Sequence, residues 1–352
     1  MNCDEWWLVD RPLLADAASG GRDSAARQKS ALPGWRLPYG SKTPVQRLRN
    51  FVTNVQPARQ VTFSVGNLIV LAFGLIITAF LALGAHDLAI AHLGIPYPND
   101  RDVPTWARYV GQVVRLGTMV HVCRLASWYL DRRSTLLAAT IFGLLVVLLQ
   151  ETLRVIVVDN IVSDGWVDQR WVYLLMTRLP TALLSFYSGV IALVIARKLG
   201  PGRPMALLVA VVIASALGYF GLLPVIKYIA DLITATLHLV ESPEVHTMPY
   251  GIYVYKYIYG MFIEPTISSF ILIYMLWPSL EGSKLRRVAL FVTLMLLMRG
   301  RVVSTGLFSF WIKDSWAMAF AAEGQFFIET LVLAALTGLT WAVITPKAAK
   351  RS

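Results

Sequence analysis

Nine charged side chains fall inside stretches that are otherwise apolar enough to lie in lipid: Arg115, Arg124, Glu151, Arg154, Arg178, Glu264, Arg299, Arg301 and Glu329. An arginine near the centre of a membrane helix costs about 2.5–3.5 kcal/mol on insertion scales, so such groups must face protein or water and find partners. Two chemistries follow. The charges can neutralise one another in structural salt bridges that fix helix register, a frequent role of buried pairs. Or the arginines in excess can hold an anion, because the guanidinium fork matches carboxylate and phosphate oxygens and stays charged.

The excess is real once Arg124, near an inner helix end and able to snorkel, is set aside. Arg115, Arg154, Arg178, Arg299 and Arg301 then face Glu151, Glu264 and Glu329. These eight are the candidate substrate-binding residues. Arg299 and Arg301, in LMLLMRGRVVSTG, stand out because no carboxylate is close in sequence and Gly300 permits close approach. Glu151 and Arg154, in LLQETLRVIVVDN, can also pair locally, since residues three apart share a helix face.

The elements that must position these groups are transmembrane helices. Of 352 residues, 56% are hydrophobic and only 15% charged, and the mean hydropathy is +0.59; a soluble domain carries far more charge. Several runs reach the ~18 apolar residues needed to cross the hydrocarbon core, and they lack the polar–apolar alternation of a membrane barrel. The fold class is all-α: a polytopic membrane protein of about eight transmembrane helices, near 62–85, 105–129, 134–158, 171–196, 204–226, 257–280, 287–311 and 322–345. The second is the most polar, carrying Arg115, His121 and Arg124.

Charge placement orders the spans. Residues 1–60, rich in Gly, Pro, Ser and Arg, read as a largely disordered basic tail, with an amphipathic surface helix near TPVQRLRNFVTNV. The tail and alternate loops hold 20 Lys and Arg, against six (Arg101, Arg108, Arg170, Lys227, Lys256, Lys313) on the opposite side. That bias puts both termini in the cytoplasm of a cell-membrane protein. The first apolar run starts near Thr62, and MNCDEWWLVD reads against a cleavable leader. The net charge of +11 is thus a topology signal, and nucleic-acid binding is unnecessary to explain it.

Beyond the tail, 61–200 and 201–352 read as two four-helix halves, a 4+4 parallel internal repeat about an axis along the membrane normal. D-L-x-x-A-x-L recurs at Asp87–Leu93 and Asp231–Leu237, and Gly189 and Gly338 each precede a lysine by nine residues. Overlaying the halves sets Glu151/Arg154 opposite Arg299/Arg301, Arg115 near Glu264, and Arg178 near Glu329. All lie in the central-to-outer zone. Pro180 and Pro265 adjoin Arg178 and Glu264 and can bend their spans.

Other chemistry is not supported. Cys3 and Cys123 form no disulfide framework. His121 and Cys123 point about 200° apart on a helix and cannot share a metal; His86, Asp87 and His92 are a weak cation set, and no metal or cofactor is expected. No P-loop, H-E-x-x-H, C-x-x-C, G-x-S-x-G or G-x-G-x-x-G motif occurs. The leading reading is transport or binding of an anionic solute or lipid-linked anion through an outer-half Arg/Glu cavity. A structural or assembly subunit of a membrane complex is the alternative, with a membrane-protein partner. An enzyme on a lipid-linked substrate, using Glu151, Glu264 or Glu329 as acid–base group, is the third. Membrane lipids are partners in all three.

Overall fold

A computed structural model of the chain describes residues 64–162, 170–200, 202–239, 252–312 and 315–345. The tail expected over 1–60 lies outside them, as do the loop residues Asp164, Trp166, Asp168, Glu241, Glu244, Pro249, Lys313 and Asp314.

Every regular element among the described residues is helical. We label α1 Val65–Asp87, α2 Thr105–Leu125, α3 Thr135–Leu149, α4 Thr152–Val162, α5 Arg170–Lys198, α6 Pro204–Ala216, α7 Leu223–Thr236, α8 Ile252–Met261, α9 Ile263–Leu276, α10 Lys284–Met298, α11 Arg301–Leu307 and α12 Trp316–Ile344. A π-turn, Leu88–His92, extends α1, and another, Leu217–Leu222, joins α6 to α7.

Local sequence explains the starts. Ser64, Ser134, Ser283 and Ser315 each accept a hydrogen bond on Oγ from the backbone N–H three residues on, satisfying a donor that the first turn leaves free. Pro104 precedes α2 and Pro204 opens α6, where the missing N–H costs nothing.

Five helical stretches are long and apolar enough to cross a membrane: Val65–His92, Val172–Lys198, Pro204–Thr236, Lys256–Ser279 and Trp316–Ile344. Two bent pairs raise this to seven when each counts as one span: α3 with the start of α4, bent 44°, and α10 with Arg301–Phe310, bent 66°. This set fits an integral membrane protein. The hydropathy reading of eight differs by α2. That helix has 21 residues, about 31 Å, but its polar residues keep it below the apolar threshold. The last helix also begins at Trp316 rather than 322, so Glu323 lies two turns inside it rather than at its first residues.

The packing is inverted relative to a soluble protein. Phe73, Ile76, Phe80 and Leu81 of α1 and Met205, Leu208, Val209 and Ile213 of α6 are exposed. Glu151, Glu264, Arg299, Glu323, Gln325 and Glu329 are buried. The polarity of α2 has the same cause. It packs on α5, α6, α10 and α11, and its polar groups turn to protein: Gln112 donates to Ser188 Oγ at 2.8 Å, and Arg124 to the Leu199 carbonyl at 2.9 Å. A central helix that meets little lipid has no need to be uniformly apolar. His121 is exposed and Cys123 buried and unpaired, so the two part company as their spacing implies.

Around α2, α5 packs on α3, α4 and α7, and α12 on α10, α11 and α1. Helix α9 packs on α3, α12 and α1, and α8 on α4. At the α3–α5 crossing two glycines meet: a Cβ on Gly189 would lie 2.7 Å from Gly143 Cα, and one on Gly143 would lie 2.8 Å from the Phe186 ring. Small residues at such crossings let backbones approach where lipid supplies no hydrophobic push. Replacing Gly189 with Leu is therefore expected to force the pair apart and destabilise by about 1–3 kcal/mol. A lower thermal midpoint in detergent, with α3 and α5 amides exchanging faster, would register it.

Candidate functional site

Each of the two bent helix pairs breaks at a left-handed residue. In the first, α3 ends at Leu149 and Glu151 has φ 60°; in the second, α10 ends at Met298 and Gly300 has φ 75°. Glu151 and Gly300 are 149 residues apart, as are the N-capping serines Ser134 and Ser283. Left-handed backbone is free for glycine but costs a residue with a Cβ roughly 1–2 kcal/mol, so the contacts of Glu151 must hold it there.

A break inside a bundle exposes backbone groups that need partners. The two breaks find them in opposite charges. Glu264 of α9 accepts from the Leu153 and Arg154 backbone N–H groups at 3.0 and 2.6 Å, so a carboxylate caps the positive start of α4. Arg115 of α2 donates from Nε to the Met298 carbonyl at 3.4 Å, so a guanidinium caps the negative end of α10. A Cβ on Gly300 would lie 3.0 Å from Arg115 Cδ; only glycine leaves both the turn and the cap undisturbed.

Between the breaks lies the charge cluster. Glu151 accepts from Arg154 Nη1 on one oxygen and from Arg299 Nη2 on the other. Arg299 Nη2 also stands 3.6 Å from Glu329 Oε1 on α12, and the second oxygen of Glu329 is 3.7 Å from Nδ1 of His86 on α1. The His86 ring packs on Phe326, and its Nε2 lies 3.5 Å from the hydroxyl of Tyr97, a half-exposed residue of the α1–α2 connection. The Arg301 guanidinium lies over the Phe326 ring at 4.9 Å and that of Arg154 over Phe262 at 5.0 Å, within cation–π range.

Arg299 is 4% exposed, yet its Nε and Nη1 make no hydrogen bond among the described residues; Nε of Arg301 is in the same position. Buried guanidinium donors without acceptors are costly. Nearby, the carboxyls of Asp100 and Glu323 lie together. Asp100 sits in the turn before α2, outside the helices, and burial raises its carboxyl above the usual range although Glu323, Arg108 and Arg301 pull the other way.

Of the eight residues singled out from sequence, seven are gathered around the breaks: Glu151, Arg154, Arg299 and Glu329 in one chain of contacts, Arg115 and Glu264 as the two caps, and Arg301 against Phe326. Arg178 is half-buried on α5, and the described ion partners of Glu329 are Arg299 and His86 instead. Sequence reasoning missed His86, Tyr97, Phe326, Asp100 and Glu323 as members of the site. Ser315, a capping residue ahead of WAMAF, was the available signal that the last helix starts early enough to carry Glu323 in its interior. His92 is exposed while His86 is buried, and no group of three metal-ligand side chains occurs among the described residues.

No protein-family model, curated protein or solved structure matches this chain.

The Glu264 cap gives a direct check. Glu264→Ala removes both acceptors from the start of α4 and is expected to destabilise by about 1–3 kcal/mol per orphaned donor; Glu264→Gln, which keeps one acceptor oxygen, should lose less. Hydrogen exchange at the Leu153 and Arg154 amides should rise in the same order.

Proposed function

We propose that this protein is an eight-span carrier or receptor for an anionic solute or the anionic head of a lipid-linked molecule, bound in the cluster between the two broken helices. One observation carries the reading: Arg299, almost wholly buried, keeps two guanidinium nitrogens without an acceptor while a third binds Glu151. Arg301, with its own unsatisfied nitrogen, extends the same surface. Broken spans that meet at a repeat interface are how several carriers bring helix ends and backbone groups to a solute, and this likeness in principle supports the choice.

The 4+4 repeat belongs to the proposal, and the packing supports it. Exchanging α1, α2, α3/α4 and α5 with α6/α7, α8/α9, α10/α11 and α12 turns each observed pairing into another. Thus α3–α5 becomes α10–α12, α2–α5 becomes α9–α12, α2–α10 becomes α9–α3, α2–α6 becomes α9–α1, and α1–α12 becomes α7–α5. Such exchange is what a twofold axis between two halves requires. Counting α2 as a span follows, because its counterpart α8–α9 is apolar enough to cross. The charge bias then sets both termini in the cytoplasm.

The assembly reading keeps one observation in its favour: Glu151 has both oxygens engaged by guanidiniums, as a structural bridge would. Function separates the two. For a carrier, Arg299→Gln should leave expression intact and weaken retention of an anion by about 10–100-fold, the size of a lost charge-assisted hydrogen bond. Arg299→Lys should rescue little, because the fork geometry is lost. Native mass spectrometry of gently extracted protein reads this as loss of a co-purifying anion. A bridge alone predicts no such anion, and recovery in the double exchange Glu151→Arg with Arg299→Glu. Topology is tested by single cysteines: Asp131→Cys, Gly202→Cys and Gly282→Cys should be labelled from one side and Asn99→Cys from the other. Labelling of Asn99→Cys and Asp131→Cys from the same side would remove α2 from the spans.

A further inference from the structure

We infer that the anion is bound together with a proton, taken up by Glu329 through His86. The inference rests on the anion-binding reading above and concerns what happens to the cluster's charge when the site fills. Three carboxylates stand among its arginines, and they are not equivalent. Glu151 is held by two guanidiniums, and Glu264 by two backbone N–H groups of α4. Glu329, 1% exposed, makes neither kind of contact: its Oε1 is 3.6 Å from Arg299 Nη2 without a hydrogen bond, and its Oε2 is 3.7 Å from His86 Nδ1. It is the carboxylate an arriving oxyanion can displace from Arg299.

Displacement alone would leave an uncompensated negative charge in a buried site, which costs several kcal/mol. A proton on Glu329 offsets one unit of the negative charge that the anion brings into the cluster. The route is present. His86 lies between Glu329 and Tyr97, and Tyr97 is half exposed. In the step, His86 Nε2 accepts a proton from the aqueous side at Tyr97 while Nδ1 delivers one to Glu329 Oε2. The ring is left as the Nε2–H tautomer and regains its Nδ1–H form by giving the Nε2 proton to water and taking one back at Nδ1, so the net change is one proton moved from water to Glu329. Helix α1 offers His86; the α10–α11 break offers Arg299 and α11 Arg301; α9 carries Glu264, held on α4, and Tyr274, which lies against Trp341 three turns further along α12; and Glu151 and Arg154 face Glu329 from the other break. Among the groups near Glu329, His86 is the one whose two ring nitrogens can accept a proton on one side and donate one on the other.

The test uses the purified full chain and two probes. Sulfate, which does not titrate in the working range, represents a free oxyanion; phosphatidic acid in phosphatidylcholine nanodiscs represents a lipid head group. Calorimetric titration in buffers of differing ionisation enthalpy, between roughly pH 5 and 8, counts protons taken up per anion. The expected result is one proton per bound anion, with affinity falling about tenfold per pH unit on the alkaline side. Glu329→Gln should bind with a flat pH profile and no uptake. His86→Asn should keep the stoichiometry but slow the uptake seen with a pH dye in stopped flow. Uptake with sulfate identifies a soluble anion, and uptake only with phosphatidic acid a lipid one; either supports the inference. Binding without proton uptake overturns it and leaves the anion site standing. Binding of neither probe, by the parent or by Glu329→Gln, overturns the anion site as well. Should Glu329→Gln fail to fold, the proton count of the unmodified chain decides alone.

Discussion

A helix broken in the interior of a bundle must hand its freed N–H and C=O groups to something, and in this protein that requirement organises the centre. Each broken span draws its partner from the other half of the chain: Glu264 for the start of α4, Arg115 for the end of α10. The signs of the two caps follow the helix dipole, carboxylate at a positive end and guanidinium at a negative one. Once those two residues are committed to backbone, the remaining charges must balance among themselves. Glu151 then has to serve Arg154 and Arg299 together, and the left-handed turn at Glu151 is held by those bonds.

Much of this was legible in the residues. Charged side chains inside apolar runs announce a buried polar site because lipid offers them nothing, and seven of the eight candidates do gather around the breaks. Gly189 and Gly338 lie 149 residues apart in sequence, and the same spacing separates Ser134 from Ser283 and Glu151 from Gly300. The breaks themselves were hidden, because neither is made by proline. Pro180 lies within α5, and Pro265 stands one residue after Glu264 inside α9. What ends α3 and α10 is a single left-handed residue, and only at Gly300 does the residue type advertise it.

Two further misses have a common origin. His86 falls just past the first apolar run and Glu323 at the very start of the last, so window reasoning puts both at the edge of a span. Both are buried because their helices continue beyond the apolar stretch: α1 into a π-turn, and α12 from the Ser315 cap onward. Helix α2 shows the converse. Its arginines lower its apolarity without removing it from the bundle, because neighbouring helices rather than lipid receive them. Hydropathy measures contact with lipid, and it understates any helix that has little.

The glycine contact between α3 and α5 has a mechanical consequence. With Gly143 and Gly189 backbone to backbone, these two rods cannot slide or roll on each other without a collision; Gly338, whose added Cβ would meet Val288 at 2.9 Å, pins α10 to α12 in like manner. The segments preceding the kinks are therefore clamped, and the kinks act as fulcra. Any rearrangement that opens or closes the charged centre has to be a swing of the short arms α4 and α11 against two fixed posts.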